Sequence, residues 1–404
     1  MRKYTNVIKG DKVIWIIYIV LTIISLIAVY SAIGRTAVEV RHTSPVSAWG
    51  KHVVFVILSY IIVILVSNLH YTIFAKISRI FYWASFGLLI YVLAFSSTRW
   101  INIPLLGSFQ PSELAKVSLI AYLANMIAVN HDQLDELSFF GKVAAAIIII
   151  AFPILLGNFS TAALIIVVCF IMLYFGGINN KYLLRTLLVV GIVAVVGLAM
   201  AVGSYKSGAK GDGIFARAAT WGHRVDTFLN PDPNELTQEN MARMAIASGG
   251  ITGVGIGHTV HARLMTQADN DFIYAIIIEE TGMVAGIVIF LLYSVLYFRC
   301  LKIARRCTGF VGSLMMVGYG TLIYLQALVN MAVAVGVMPV TGQTLPLISN
   351  GGTAYIAMAF AIGVIQSVSY ETAKEEKDIK DKKRNDREFE EIKDLHSKLN
   401  EQTA

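Results

Sequence analysis

The feature that most constrains this chain is a succession of long apolar runs with few charges between them. They fall at about 13–33, 52–67, 72–95, 114–130, 141–157, 160–177, 182–203, 272–298, 309–336 and 352–369. A helix needs about 20 apolar residues to cross a bilayer, and inside lipid only a helix or a closed barrel satisfies its own backbone hydrogen bonds. The expected fold is therefore all-α, a polytopic membrane protein with about ten transmembrane helices. Only 15% of the residues are charged and 56% are hydrophobic. Soluble domains carry about 25% charged residues, so a soluble enzyme is excluded. The first run is too long for a signal-peptide core and reads as a retained helix.

Lysine and arginine set the orientation. Arg2, Lys3, Lys9 and Lys12 precede the first run, Lys181 and Arg185 the seventh, and Arg299, Lys302, Arg305 and Arg306 follow the eighth. The positive-inside rule then places these loops and both termini in the cytoplasm, so the protein is expected to be multi-pass in a cytoplasmic (inner) membrane. The acidic loop at 131–142 is the one departure. The net charge of +7 lies in such flanks, which contact anionic lipid, so nucleic acid is not an expected partner. Residues 1–370 read as one membrane domain and 371–404 as a charged cytoplasmic tail, a solvated helix in which Phe389, Ile392, Leu395 and Leu399 recur at helical spacing.

With this topology, the polar motifs that are not basic anchors all fall outside. They are Arg99 with Trp100, the stretch from Gln110 to Lys116, 158–161, the long loop 204–271, and 339–352. A loop that long is commonly functional. Within it, 221–233 looks amphipathic and 240–248 is a plausible short helix. The glycines at 253–257 follow no strand, so a dinucleotide loop is rejected in favour of a hinge. Cys169, Cys300 and Cys307 have no metal-ligand or disulfide spacing and read as inert. No cofactor is expected; assistance by a divalent cation stays open.

Three of the four acids in the stretch from Gln267 to Gly282 stand out first. Asp271 stands where the apolar run begins, and Glu279 and Glu280 would lie about 12–13 Å further in on a straight helix. An acid in lipid costs roughly 2.5–3.5 kcal/mol or more, so such residues face a cavity or a partner. Asp271 is the functional candidate; Glu279 and Glu280 serve either chemistry or pairing with neighbouring bases. Glu113 and Lys116 share a helix face, either as a structural pair or with Lys116 as a point charge for a phosphorylated ligand. Arg99 and Arg224 lie outside, where an anion would be recognised. The prolines, glycines and threonines of 339–353 describe irregular backbone, tolerated at membrane depth only when buried or lining a cavity.

Arg99 and Trp100, QPSELAK at 110–116, NDFIYAIIIEETG at 270–282 and MPVTGQTLPLISNGGT at 338–353 resemble the signature blocks of the SEDS family, the RodA/FtsW proteins. The resemblance runs from Gly10 and Asp11 into the tenth helix and is closer to the FtsW (division) branch. It implies a ten-helix glycosyltransferase that polymerises lipid II into glycan strands. Its implied partners are a class B penicillin-binding transpeptidase and other divisome proteins. The family's essential acid falls on Asp271, which would act as general base. Arg99, Lys116 and Arg224 would contact phosphate. Trp100, Gln110, Glu113, Thr344, Ser349, Gly351, Gly352 and Thr353 would form the rest of the substrate site.

The chain departs from the family in having Asp269 and Asn270 where His-Thr is usual, which makes Asp269 a rival base, and in the block from Ser349 to Thr353. Alternatives are a lipid II transporter working through Glu113, Lys116, Glu279 and Glu280, a RodA-type elongation polymerase, and a scaffold without activity. A transporter is expected to show inverted repeats, and none is convincing here.

Overall fold

The computed structural model describes residues 9–33, 44–96, 100–103, 107–206, 214–230, 235 and 237–402. Its elements are α1 (Lys12–Ala32), α2 (Pro45–Asn68), α3 (Tyr71–Phe95), a hairpin of β1 (Ile101–Ile103) and β2 (Gly107–Phe109), α4 (Pro111–Val129), α5 (Leu137–Gly157), α6 (Phe159–Phe175), α7 (Asn180–Lys206), α8 (Ile214–Leu229), α9 (Gln238–Gly249), α10 (Ile273–Ala304), α11 (Phe310–Ala334) and α12 (Gly352–Gln402). Eight of these helices are long and apolar enough to cross a membrane, and α6 is a shorter apolar helix. Together with α7, they occupy the places of the ten expected spans. The antiparallel hairpin, pairing Ile101 with Phe109, is the small exception to an all-α fold.

Helix starts follow local chemistry. The Asp11 carboxylate accepts from the backbone N–H groups of Val13 and Ile14, Asn158 does the same for Ser160 and Thr161, and Pro111 opens α4 where no N–H partner is needed. Packing then sorts the helices. α4 and α11 are largely buried, whereas α2, α3 and the second part of α10 turn Ile57, Ile61, Ile80, Trp83, Ile287 and Leu291 outward. On a membrane protein that outward face is the lipid face. α7 packs mainly on α8.

The long loop 204–271 carries α8 and α9, the latter over the short helix expected at 240–248, and the helical tail continues α12 without a break to Gln402. One expectation changes: α10 is not one straight span. Gly282, at φ 83° and ψ 173°, leaves the helical region. Residues 278 and 286 would be about 12 Å apart along a straight helix. Instead, a Cβ on Gly286 would come 2.9 Å from Ile278 Cδ1, and the Tyr274 hydroxyl donates to the Gly286 carbonyl at 3.0 Å. The chain thus rises through a short limb, 273–281, reverses at Gly282 and descends through 283–304.

The reversal inverts the expected depths. Glu280 accepts from Ser31, at the C-terminal end of α1, whereas Ser25 of α1 donates to the Ile348 carbonyl at 2.7 Å. Ser25 lies about 9 Å from Ser31 along the helix, towards the N-terminus of α1. Asn350, two residues beyond Ile348, holds Asp269. So Glu279 and Glu280 lie towards the C-terminal end of α1, beyond the Asp269–Asp271 stretch, not closer to its N-terminus. At the opposite end, the Arg299 guanidinium grips Asp11 at 2.6 and 3.0 Å, and the Gln366 side chain brackets the Asp11 backbone. The N-terminus of α1 and the basic 299–306 loop therefore share one side.

Candidate active site

The site is built where three chain breaks meet: the stretch before α10, the irregular 339–351 segment before α12, and the N-terminus of α4. Backbone bonds tie the first two together. The Asn350 N–H donates to the Asp269 carbonyl at 2.9 Å, and the Asn350 amide donates to the Asp269 carboxylate at 2.8 Å. The Ser349 hydroxyl donates to the Asn270 carbonyl at 2.6 Å while accepting from Leu345 N–H. Asn330 of α11 donates to the carbonyls of Asp271 and Gln343 at 2.8 and 2.7 Å. These side chains satisfy backbone that no helix or sheet can serve, as buried irregular chain requires.

Between these segments lies a polar cavity of about 210 Å³, lined by Trp100, Gln110, Glu113, Thr161, Asn270, Gly342, Gln343, Thr344, Asn350, Gly351, Gly352 and Ala354. Six of the residues singled out from sequence therefore come together: Trp100, Gln110, Glu113, Thr344, Gly351 and Gly352. Asp271, partly exposed, directly follows the lining residue Asn270. A second, apolar space of about 480 Å³ opens between α2, α3, α4 and α12, walled by residues such as Phe55, Phe74, Phe81 and Phe360. Glu113 lines both spaces.

Other residues take different places from those expected. Lys116 does not reach the cavity. It is fully buried beneath it, with Nζ 2.9 Å from Glu113 and donating to Gln326 at 2.8 Å. Gln326 in turn donates to the Thr344 carbonyl and hydroxyl. The pair is one end of a chain that supports the cavity wall, since each charge offsets the other's burial. Arg224 donates to the Val340 carbonyl at 3.1 Å, pinning α8 to the segment that leads into the site, and is not among the lining residues. Ser349 is a buried wall support, and Thr353 lines the apolar space and accepts from the Gln110 N–H. Arg99 lies outside the described residues.

Glu279 and Glu280 form no part of the cavity lining. Glu279 accepts from Thr259, from the backbone N–H of Val260 and His261, and pairs with His261 Nδ1 at 2.8 Å. Glu280 accepts from Ser31 and the Gly257 N–H. The loop backbone joins in, with Val254 and Gly255 donating to the carbonyls of Glu279 and Glu280. Gly253 permits this approach: its φ is +81°, and a Cβ there would meet the Glu280 carbonyl at 2.2 Å. The glycine-rich stretch caps the short limb, so the hinge expected there is a packed junction.

Gln343, Thr161, Asn270 and Asn350 lie in stretches that the sequence marks, but the sequence does not single them out as site residues, and it gives no stretch for Asn330 and Gln326. The last two carried a signal: amides inside an otherwise apolar 25-residue helix that need partners in lipid.

The comparisons agree with this architecture. The cell cycle protein family model covering FtsW, RodA and SpoVE matches residues 11–374. The chain is 28% identical to stage V sporulation protein E of Bacillus subtilis, covering 90% of this chain and 98% of that one. It is 32% identical to the probable peptidoglycan glycosyltransferase FtsW of Escherichia coli, covering 79% and 76%. Its fold matches a chain of the structure named "Structural coordination of polymerization and crosslinking by a peptidoglycan synthase complex", with TM-score 0.70 at 22% identity over 90% and 98%. It matches the rod shape determining protein RodA of Thermus thermophilus with TM-score 0.63 at 22% identity over 91% and 98%. A family match across nearly the whole membrane domain, together with the helix order and the cavity, establishes that this chain belongs to the FtsW/RodA/SpoVE family.

Proposed function

We propose that the protein is a peptidoglycan glycosyltransferase that polymerises lipid II at the outer face of the cytoplasmic membrane, with Asp271 as general base. The observation that carries this reading is the joining of a polar cavity and an apolar groove at Glu113. A lipid-linked sugar has this shape, with its glycan and pyrophosphate in the polar space and its tail along the groove. The relatives named as peptidoglycan glycosyltransferases support the same chemistry.

In the reaction, a sugar hydroxyl of one unit attacks the anomeric carbon of another. The new C–O bond forms as the bond to pyrophosphate breaks, and the hydroxyl proton passes to the Asp271 carboxylate. Such a base contributes about 10²–10⁴-fold. Arg99 and Arg224 are the proposed groups for the departing pyrophosphate. Lys116 acts from beneath by holding Glu113 in place through their ion pair. The working partner is a class B penicillin-binding transpeptidase, as the neighbouring synthase complex suggests, and the division role follows the FtsW relatives.

The test is glycan-strand formation from purified lipid II, by the protein with its transpeptidase, wild type against Asp271→Asn. Polymer from the wild type and at least about 100-fold less from a folded, partner-bound variant is expected. Full activity in Asp271→Asn would sink the base assignment. Absent polymer from both, with headgroup translocation in liposomes, would turn the reading to a transporter.

A further inference from the structure

One buried titratable group near the site has no role in the chemistry above. His52 of α2 is 1% exposed, at the head of a long apolar run within that helix. Its Nε2 lies 2.8 Å from the Ser25 hydroxyl, which itself donates to the Ile348 carbonyl at 2.7 Å. A hydroxyl that spends its proton on a carbonyl can only accept from the ring, so Nε2 carries the hydrogen. The other ring nitrogen, Nδ1, is buried without a well-aligned bond, and the group beside it is the Asn350 side chain. Tyr355 closes the ring in edge-on, at 5.6 Å between centroids.

Asn350 stands at the centre of this arrangement. It lines the polar cavity, holds Asp269 through backbone and side chain, and faces His52. Asp269 lies two residues before Asp271 and is fully buried. His52 thus reaches the cavity wall from behind through Ser25, which donates to the Ile348 carbonyl two residues before Asn350. A buried polar ring is costly unless it is bonded, and an apolar residue would fill the space between α1, α2 and α12 at no such cost.

We infer that His52 is a positioning residue. It fixes the 348–351 wall, and through Asn350 the stretch from Asp269 to Asp271, in the geometry the transfer needs. The inference rests on the transferase reading for its consequence in rate, but not for its consequence in structure.

The test compares wild type, His52→Phe, His52→Gln, Asn350→Ala and the double variant His52→Phe/Asn350→Ala in the lipid II assay with the transpeptidase partner. Backbone amide exchange across 267–272 and 345–352 is followed in the same preparations. His52→Phe should slow polymerisation about tenfold and speed exchange in both segments. His52→Gln, which can replace the Nε2 donor, should stay within about threefold. The double variant should be no worse than the worse single one, because both act through one contact. Wild-type rate in His52→Phe, multiplied losses in the double variant, or unchanged exchange would each overturn the inference. If His52→Phe does not fold, His52→Ala takes its place with the same expectations. Absent polymer in the wild type, with exchange still responding to His52→Phe, would count against the transferase reading and leave the positioning role standing.

Discussion

Two acidic pairs flank one short helical limb, and they are handled in opposite ways. At its C-terminal end, Glu279 and Glu280 are met by hydroxyls, backbone N–H groups and His261, and neither lines the cavity. Before its N-terminal end, the stretch from Asp269 to Asp271 is held mainly through its backbone carbonyls, by Asn350, Ser349 and Asn330. Asp271 stands partly exposed next to the cavity. Carboxylates whose oxygens are taken up by donors of a packed junction serve that junction. Asp271 is instead placed next to the cavity by its backbone, with Asn330 holding its carbonyl. Acid content alone does not mark a site; the direction from which the protein grips the acid does.

The sharpest way to break this comparison is to neutralise one acid at each end. Asp271→Asn should abolish polymerisation and leave the unfolding temperature within error. Glu279→Gln should do the reverse, keeping most activity while destabilising the 250–261 junction by about 2–3 kcal/mol, as expected for lost bonds to a charged group. Limited proteolysis of that loop would report it. Equal activity losses from both would end the distinction.

Lys116→Met extends the contrast to a charge that supports the wall without lining it. It leaves Glu113 without its ion-pair partner in a buried place, a loss of about 3–5 kcal/mol. Adding Glu113→Gln should restore much of the thermal stability without restoring activity, because Glu113 lines the cavity. Recovery of both would remove Glu113 from the site.

Smaller effects test how the junction is packed. Gly253→Ala places a Cβ against the Glu280 carbonyl at positive φ, whereas Gly250, at φ +53°, has open space around it. The first should lower the unfolding temperature well beyond the second, whose loss should be about 1 kcal/mol; equal losses would mean the close approach does not matter. The smallest effect concerns Glu239 on α9. Burial lifts its carboxyl above the ordinary range despite Arg243 and Arg224 nearby. A raised folded value favours the protonated form, so the stability it contributes is present below the ordinary value of 4.5 and is lost as pH rises. Glu239→Gln should therefore match wild type near pH 4 and gain on it by pH 7; a constant offset would contradict this.

The sequence by itself determined the number and order of the spans, their all-α character, and the blocks that form the wall. Hydrophobic run length and charge bias are local properties that lipid reads directly, so α1 to α7, α11 and the start of α12 fall close to where the runs place them. Six lining residues were legible because polar and glycine-rich breaks in apolar sequence must be buried or line a cavity. The tertiary structure alone decided the reversal at Gly282. An apolar run has no sign that says up or down, and one glycine's φ of 83° turns the second half around. That turn moved Glu279 and Glu280 from the expected interior to the junction with 253–261, next to the C-terminal end of α1. It also took partnership to show that Lys116 points at Gln326 and that His52 reaches Asn350. Such contacts join residues hundreds of positions apart, and their chemistry is set by which helices pack together, which no local pattern encodes.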